Sequence, residues 1–316
     1  MNKKNIVIIG LGGVGAYFGF KINQTNESDK QHQIAFVARA ETYENVKKNG
    51  LQLISPEHPR SISIPDEIYQ NIEEIRNPDL ILICVKEYDL EAICIQLANV
   101  ITKNSVILPM MNGVDIYDRI RKIIPNNTIL PACVYIVSHI KEKGIVEHKG
   151  IAGKLYFGKD PQHLNENLNW IEALIANSGI EYEFKDSSLI DIWTKFIFIA
   201  PFGLVTAKYN SSVGAVCSDE IQRKEAIEIM KEISSIAKQK DILLPNNIID
   251  ITLNKAASFP PQSPTSLQLD INSNKGNNEL ELFAGAIIKY GAELNIKCPF
   301  TQKIYQEIKE NHSLMQ

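Results

Sequence analysis

The segment Asn5 to Ile22, NIVIIGLGGVGAYFGFKI, is an apolar run that breaks into Gly10, Gly12 and Gly15 and then resumes at helical length. Few folds accommodate glycines at this G-x-G-x-x-G spacing behind a buried strand. Gly10 would end the strand, Gly12 would let a phosphate reach the backbone, and Gly15 would let the next helix pack close on the strand it has just left. Unpaired N–H groups and the positive end of the helix dipole then face that phosphate. The segment therefore reads as a dinucleotide fingerprint, with the pyrophosphate expected on the loop Gly10, Leu11, Gly12, Gly13, Val14 and Gly15. A simple glycine-rich turn is the competing reading.

The remainder of the first half agrees with the fingerprint. The runs IAFVAR, LILICVK and SVILPMMN are apolar at almost every position, as parallel strands covered on both faces are. GLQLIS and RSISIP read as shorter, more exposed strands, and ACVYIVSHIKEKGIVEHKG with GKLYFGK as antiparallel hairpins turning at Gly144 and Gly150. From about Ser187 the periods become helical, as in SLIDIWTKFIFIAPFGLVTA and EAIEIMKEISSIAKQKDI. At 316 residues the chain is longer than one core usually holds. The expected fold class is α/β: a Rossmann-like doubly wound sheet over residues 1–185, followed by an all-helical domain over 186–316.

Charge and cysteine usage narrow the partners. A formal net charge of −4, with both signs mixed along the chain, offers no basic stripe to nucleic acid. Cys84, Cys94, Cys133, Cys217 and Cys298 are odd in number, lie in no C-x-x-C spacing and read as reduced thiols. No metal is expected. The apolar opening is too short for a signal segment, and no stretch reads as a membrane span, so the expected location is the cytoplasm.

The strand ends carry the next chemistry. IAFVAR ends on Arg39, where a carboxylate for ribose hydroxyls is common. A planar guanidinium suits a 2′-phosphate instead, which points to NADP(H). An exposed arginine beside Glu41, with Glu41 on the ribose, is the alternative. LILICVK closes on Lys86 and SVILPMMN on Asn112. Ligands of open parallel sheets bind outside the carboxyl ends of the strands, so Gly10, Lys86 and Asn112 are expected to line one crevice.

In LIDIWTKFIFIAPFGLV, Lys195 is the lone cation of an oily helix that Pro201 is expected to kink or interrupt. Its stem could lie along a core while the ammonium reaches water. Alternatively, partial desolvation could tune it to give and take a proton. Ile199 and Gly203 share its helical face. Further on come Ser266 and Asp270 in SPTSLQLDI, and Glu279 and Glu281 in NNELELFAG, where acids could equally be surface charges at a helix start.

Taken in order, GLGGVGAYFG, AFVAR, CVKEYD, MNGVD, WTKFIF, TSLQLDI, ELELFAG and LNIKCPF resemble the ketopantoate reductases, or 2-dehydropantoate 2-reductases, over essentially the whole chain. The resemblance implies an NADP-binding Rossmann domain and a helical domain like that of 6-phosphogluconate dehydrogenase, with a 2-oxo acid as the small-molecule partner. It implies that Lys195 hands a proton to the substrate carbonyl and that Glu279 assists that lysine or orients the substrate. Lys86 and Asn112 would face nicotinamide and substrate, and Ser266 would contact the substrate. The family pattern has asparagines where this chain has Ile199 and Gly203, which removes two substrate-facing amides. Two alternatives stay open: a related dehydrogenase for another hydroxy acid, and a non-catalytic NADP(H) binder. A homodimer is allowed, and neither nucleic acid nor membrane is expected as a partner.

Overall fold

The computed structural model describes residues 3–56, 60–273 and 276–313. They form two compact units. One runs through Asn112 and resumes from Ile116 to Ser188; the other takes Gly113–Asp115 and the described chain from Leu189 onward.

The first unit begins β1 (Asn5–Ile9), α1 (Gly13–Asp29), β2 (Gln33–Val37), α2 (Ala40–Asn49), β3 (Leu51–Ile54), β4 (Ser61–Ser63), β5 (Glu67–Tyr69) and β6 (Leu80–Ile83). It continues α3 (Glu87–Leu97), β7 (Val106–Pro109), α4 (Ile116–Ile123), β8 (Thr128–Ile129), β9 (Ala132–Tyr135), β10 (Ser138–Glu142), β11 (Ile145–His148), β12 (Lys154–Gly158), α5 (Asn169–Asn177) and β13 (Glu181–Lys185). The central sheet has the order β5-β2-β1-β6-β7-β8. All of its pairs are parallel, with Ile6 level with Ile34 on one side and Leu80 on the other. The Rossmann-like topology therefore reverses between β1 and β6, where ligands of such sheets bind. β1, β2, β6 and β7 are buried almost throughout, which is why their sequences lack alternation.

A second sheet, β10-β11-β3-β4, lies across α1 from the first. A β-carbon on Gly13 would stand 2.4 Å from the Ser138 carbonyl oxygen of β10, and one on Gly19 would stand 3.2 Å from the Phe36 ring of β2. With a sheet on each side, α1 buries Tyr17, Phe18, Phe20 and Ile22, and so it carries no single apolar stripe. A third sheet has the order β13-β12-β9. The hairpin expectation is corrected here. β10 and β11 do pair antiparallel, but β9 pairs instead with β12, and β13 joins β12 in parallel. Buried β9 and exposed β10 belong to different sheets.

Asp160, fully buried just after β12, ties the third sheet to α4 and β8. It accepts hydrogen bonds from Tyr117 Oη at 2.7 Å, Ile129 N at 2.8 Å, Gln162 N at 2.9 Å and Arg121 Nη2 at 2.5 Å, and sits 2.9 Å from His163 Nδ1. Burial alone would raise its pKa; these hydrogen bonds outweigh it and hold the carboxyl below its usual range.

The second unit holds α6 (Leu189–Tyr209), α7 (Val213–Ser218), α8 (Glu220–Gln239), α9 (Ile248–Ala257), α10 (Ser266–Asn272), a π-helical turn at Glu281–Gly285, α11 (Ala286–Glu293) and α12 (Pro299–Ser313). α6 is its axis, with α8, α10, α12 and the π-turn packed on it. Trp193 stacks on Tyr290 at 6.1 Å between centroids, and Phe196 meets Phe283 at 6.3 Å. Lys208 joins three helices through Glu225 of α8 at 2.7 Å and Glu307 of α12 at 2.8 Å.

Two expectations about α6 change. The helix runs on through Pro201, so the proline does not interrupt it. Its 21 residues, with mean hydropathy 1.6, are also long and apolar enough to cross a membrane by composition. However, 61% of that apolar window is buried within the protein, as in a core helix. The five thiols are unbridged, and Cys84, Cys94, Cys133 and Cys298 are buried.

Candidate functional site

Four neighbouring strands of the central sheet, β2, β1, β6 and β7, lead at their carboxyl ends into Arg39, Gly10, Lys86 and Asn112 respectively. Each glycine of the loop has a distinct spatial reason. Gly10 has φ +92°, and a β-carbon on it would lie 2.9 Å from the Cys84 carbonyl oxygen. A β-carbon on Gly15 would lie 2.0 Å from the Gly10 carbonyl oxygen and 2.7 Å from Cys84 Cβ, so α1 meets its own strand backbone to backbone. Around Gly12 the space is open to 4 Å. The first intrahelical bond of α1 runs from Ala16 N to Gly12 O, which leaves the preceding amides at the helix mouth without an i−4 acceptor. With no acid in its first turn, this mouth suits a diphosphate.

Gly10, Leu11 and Gly12 line a cavity of about 800 Å³ together with Arg39, Lys86 and Asp89. The open side of Gly12, the free helix end and the cation beyond β2 fit a dinucleotide. Arg39 is not solitary: its Nη2 lies 2.5 Å from Asp89 Oδ2 in the first turn of α3. Sequence reasoning missed Asp89, because an acid at a helix start ordinarily serves only the dipole and the two residues stand 50 apart in the chain. Lys143, from the turn between β10 and β11, also lines the cavity and was likewise missed. Gly13, Val14 and Gly15 lie behind the loop, in the first turn of α1. Asn112 follows β7 at the same sheet edge but is not among the residues lining this cavity, a departure from the expected single crevice. Its strand stops at Pro109, and the residue after Asn112, Gly113, has φ +116°.

In the helical unit, Lys195 is a buried cation, 9% exposed, two turns into α6. Glu279 is 4% exposed, which excludes the surface-charge reading. Phe196, next to Lys195, packs on Phe283 of the π-turn that begins two residues after Glu279. The fate of Glu281 differs: it is bonded by Tyr305 and lies 3.3 Å from Lys309. Ser266 is exposed as the first residue of α10, whose capping box pairs Thr265 with Gln268. That helix start is fixed to α6, since Thr206 and Thr265 share a hydroxyl hydrogen bond of 2.7 Å and a β-carbon on Gly203 would touch Leu267 at 3.7 Å. Lys195, Ile199 and Gly203 thus follow one another along α6 toward α10.

Comparison with known proteins identifies the family of both units. The family described as ketopantoate reductase PanE/ApbA matches residues 6–162, and its C-terminal counterpart matches residues 189–312. An uncharacterized oxidoreductase, YkpB, of Bacillus subtilis is 24% identical over 96% of this chain and 97% of its own. A 2-dehydropantoate 2-reductase of Nostoc is 20% identical over 98% of this chain and 95% of its own. Among solved structures, a PanE/ApbA family ketopantoate reductase of Ralstonia eutropha superposes with a TM-score of 0.87 at 20% identity, covering 98% of each chain. A D-mandelate dehydrogenase with NADH and anilino(oxo)acetate gives 0.83 at 18% identity, also over 98% of each chain.

Proposed function

The chain belongs to the ketopantoate reductase family, and on that footing we propose that it reduces 2-dehydropantoate (ketopantoate) to pantoate in pantothenate and coenzyme A synthesis, in the cytoplasm. The coarser assignment is an NADP-dependent oxidoreductase acting on a CH–OH group. A reduced nicotinamide, when bound, supplies the hydride. The loop from Gly10 to Gly15 holds the pyrophosphate, Arg39 takes the 2′-phosphate, and Lys86 and Asn112 serve the nicotinamide side. Lys195 donates a proton to the carbonyl oxygen of the 2-oxo acid and stabilises the alkoxide as it forms. Glu279 assists that lysine or orients the substrate, and Ser266 contacts the substrate.

The observation that carries this reading is the burial of Lys195 and Glu279 on neighbouring segments of one unit, where holding a cation and an acid out of water is costly without a task for them. The deciding experiment follows NADPH absorbance with ketopantoate beside smaller and bulkier 2-oxo acids. Ketopantoate-dependent oxidation is expected; tight NADPH binding with no oxidation by any member of the panel identifies a non-catalytic binder instead.

A second reading, an apolar or aryl 2-oxo acid, draws on Ile199 and Gly203. No amide stands at either position of that face of α6, and a β-carbon on Gly203 would meet only Leu267. The D-mandelate dehydrogenase structure, with its anilino(oxo)acetate, is an example on the same fold. The same panel separates the two, since preference for the aryl acid selects the second reading.

A further inference from the structure

The Arg39–Asp89 pair changes what the adenosine end of the cavity selects. Arg39 leaves the end of β2 with its side chain 67% exposed, while Asp89 projects from the first turn of α3 at 28% exposure. Both line the same cavity as Gly10 and Gly12. An arginine meant solely for a phosphate gains from standing free; here a carboxylate holds one arm of its fork at 2.5 Å. The other charged side chains on the cavity wall are Lys86, Lys143 and Glu73. No residue but Asp89 is ion-paired to Arg39 among the described residues.

We infer that Asp89 is a coenzyme-selectivity residue that competes with the 2′-phosphate for Arg39. A 2′-phosphate entering the cavity must draw the guanidinium away and accept a like charge beside it. A free 2′-hydroxyl carries no charge to be repelled and can donate a hydrogen bond to the same carboxylate. One cavity thus holds a cation that favours NADPH and an anion that favours NADH, and the balance lies between them. The inference rests on the placement of the adenosine end proposed above.

Calorimetric titration with adenosine 2′,5′-bisphosphate and with adenosine 5′-monophosphate isolates this end of the site and needs no turnover. Removing one like charge at contact range changes affinity by roughly three- to tenfold. Asp89→Asn should therefore tighten the 2′-phosphorylated fragment by about that factor and leave the monophosphate unchanged or weaker. Asp89→Ser, which suits a helix start, should do the same, and the gain should shrink in an Arg39→Ala background. An equal shift for both fragments, or none, overturns the inference while leaving the cofactor site standing. Wild-type protein that binds NADPH but neither fragment overturns the adenosine placement, and the inference with it.

Discussion

The Gly10 carbonyl oxygen stands only 2.0 Å from where a β-carbon on Gly15 would have to sit. Backbone cannot yield as a flexible side chain can, so Gly15→Ala must push α1 off β1. Overpacking of this kind costs about 1–3 kcal/mol, read as a lower urea midpoint together with loss of NADPH binding. Gly12→Ala separates the two effects. Among the described residues beyond its chain neighbours, nothing would lie within 4 Å of a β-carbon there, and its φ is −76°, so stability should hold while NADPH affinity falls. Calorimetry alongside the urea melt checks both.

Lys195→Ala should lower kcat with ketopantoate by about 10²- to 10⁴-fold, the usual share of a positioned proton donor. NADPH affinity should stay within a factor of about two, because the change removes an interaction with the reacting oxygen and not with the adenosine or pyrophosphate. Stopped-flow absorbance and NADPH titration test the split; unchanged turnover removes Lys195 from the chemistry.

Ile199→Asn with Gly203→Asn restores two amides to the Lys195 face of α6. A site that hydrogen-bonds a substrate hydroxyl discriminates far more strongly than an apolar one. The double variant should therefore raise kcat/KM for ketopantoate by about tenfold or more and lower it for aryl 2-oxo acids. No change in either direction would mean that these positions do not set substrate choice.

Asp160 carries a pH signature. Its folded pKa lies below the ordinary value, so the stability it contributes is complete above the carboxylate range and drains away as pH falls through the depressed value. Asp160→Asn leaves half-buried Arg121 without its counter-ion, at a cost of about 3 kcal/mol near neutrality. Urea denaturation at several pH values should show a smaller acid dependence in the variant than in wild type.

Much of this was legible because burial leaves marks on local sequence. Strands covered on both faces read as unbroken apolar runs, and the backbone collision at Gly15 forbids any side chain there. Lys195 stood out for the same reason, as the lone cation of the oily stretch from Leu189 to Val205. The missing pieces are those settled by distant partners. Nothing local tells β9 to join β12, or β13 to lie parallel to it. Nothing near Arg39 announces Asp89. Pro201 signalled a kink or an interruption, and α6 runs on through it without interruption; Asn112 follows a strand neighbouring that of Lys86 without sharing its cavity wall.

The order in which the covers of α6 are made has a consequence for biosynthesis. The helix leaves the ribosome before α8, α10, the π-turn and α12, so a segment greasy enough for a lipid bilayer waits for shelter until nearly the last residues are translated. Chaperone capture or mistargeting has its widest opening in that interval. Chains cut short before Pro299 would lack the α12 part of that cover and should be more prone to aggregate even with an intact first unit.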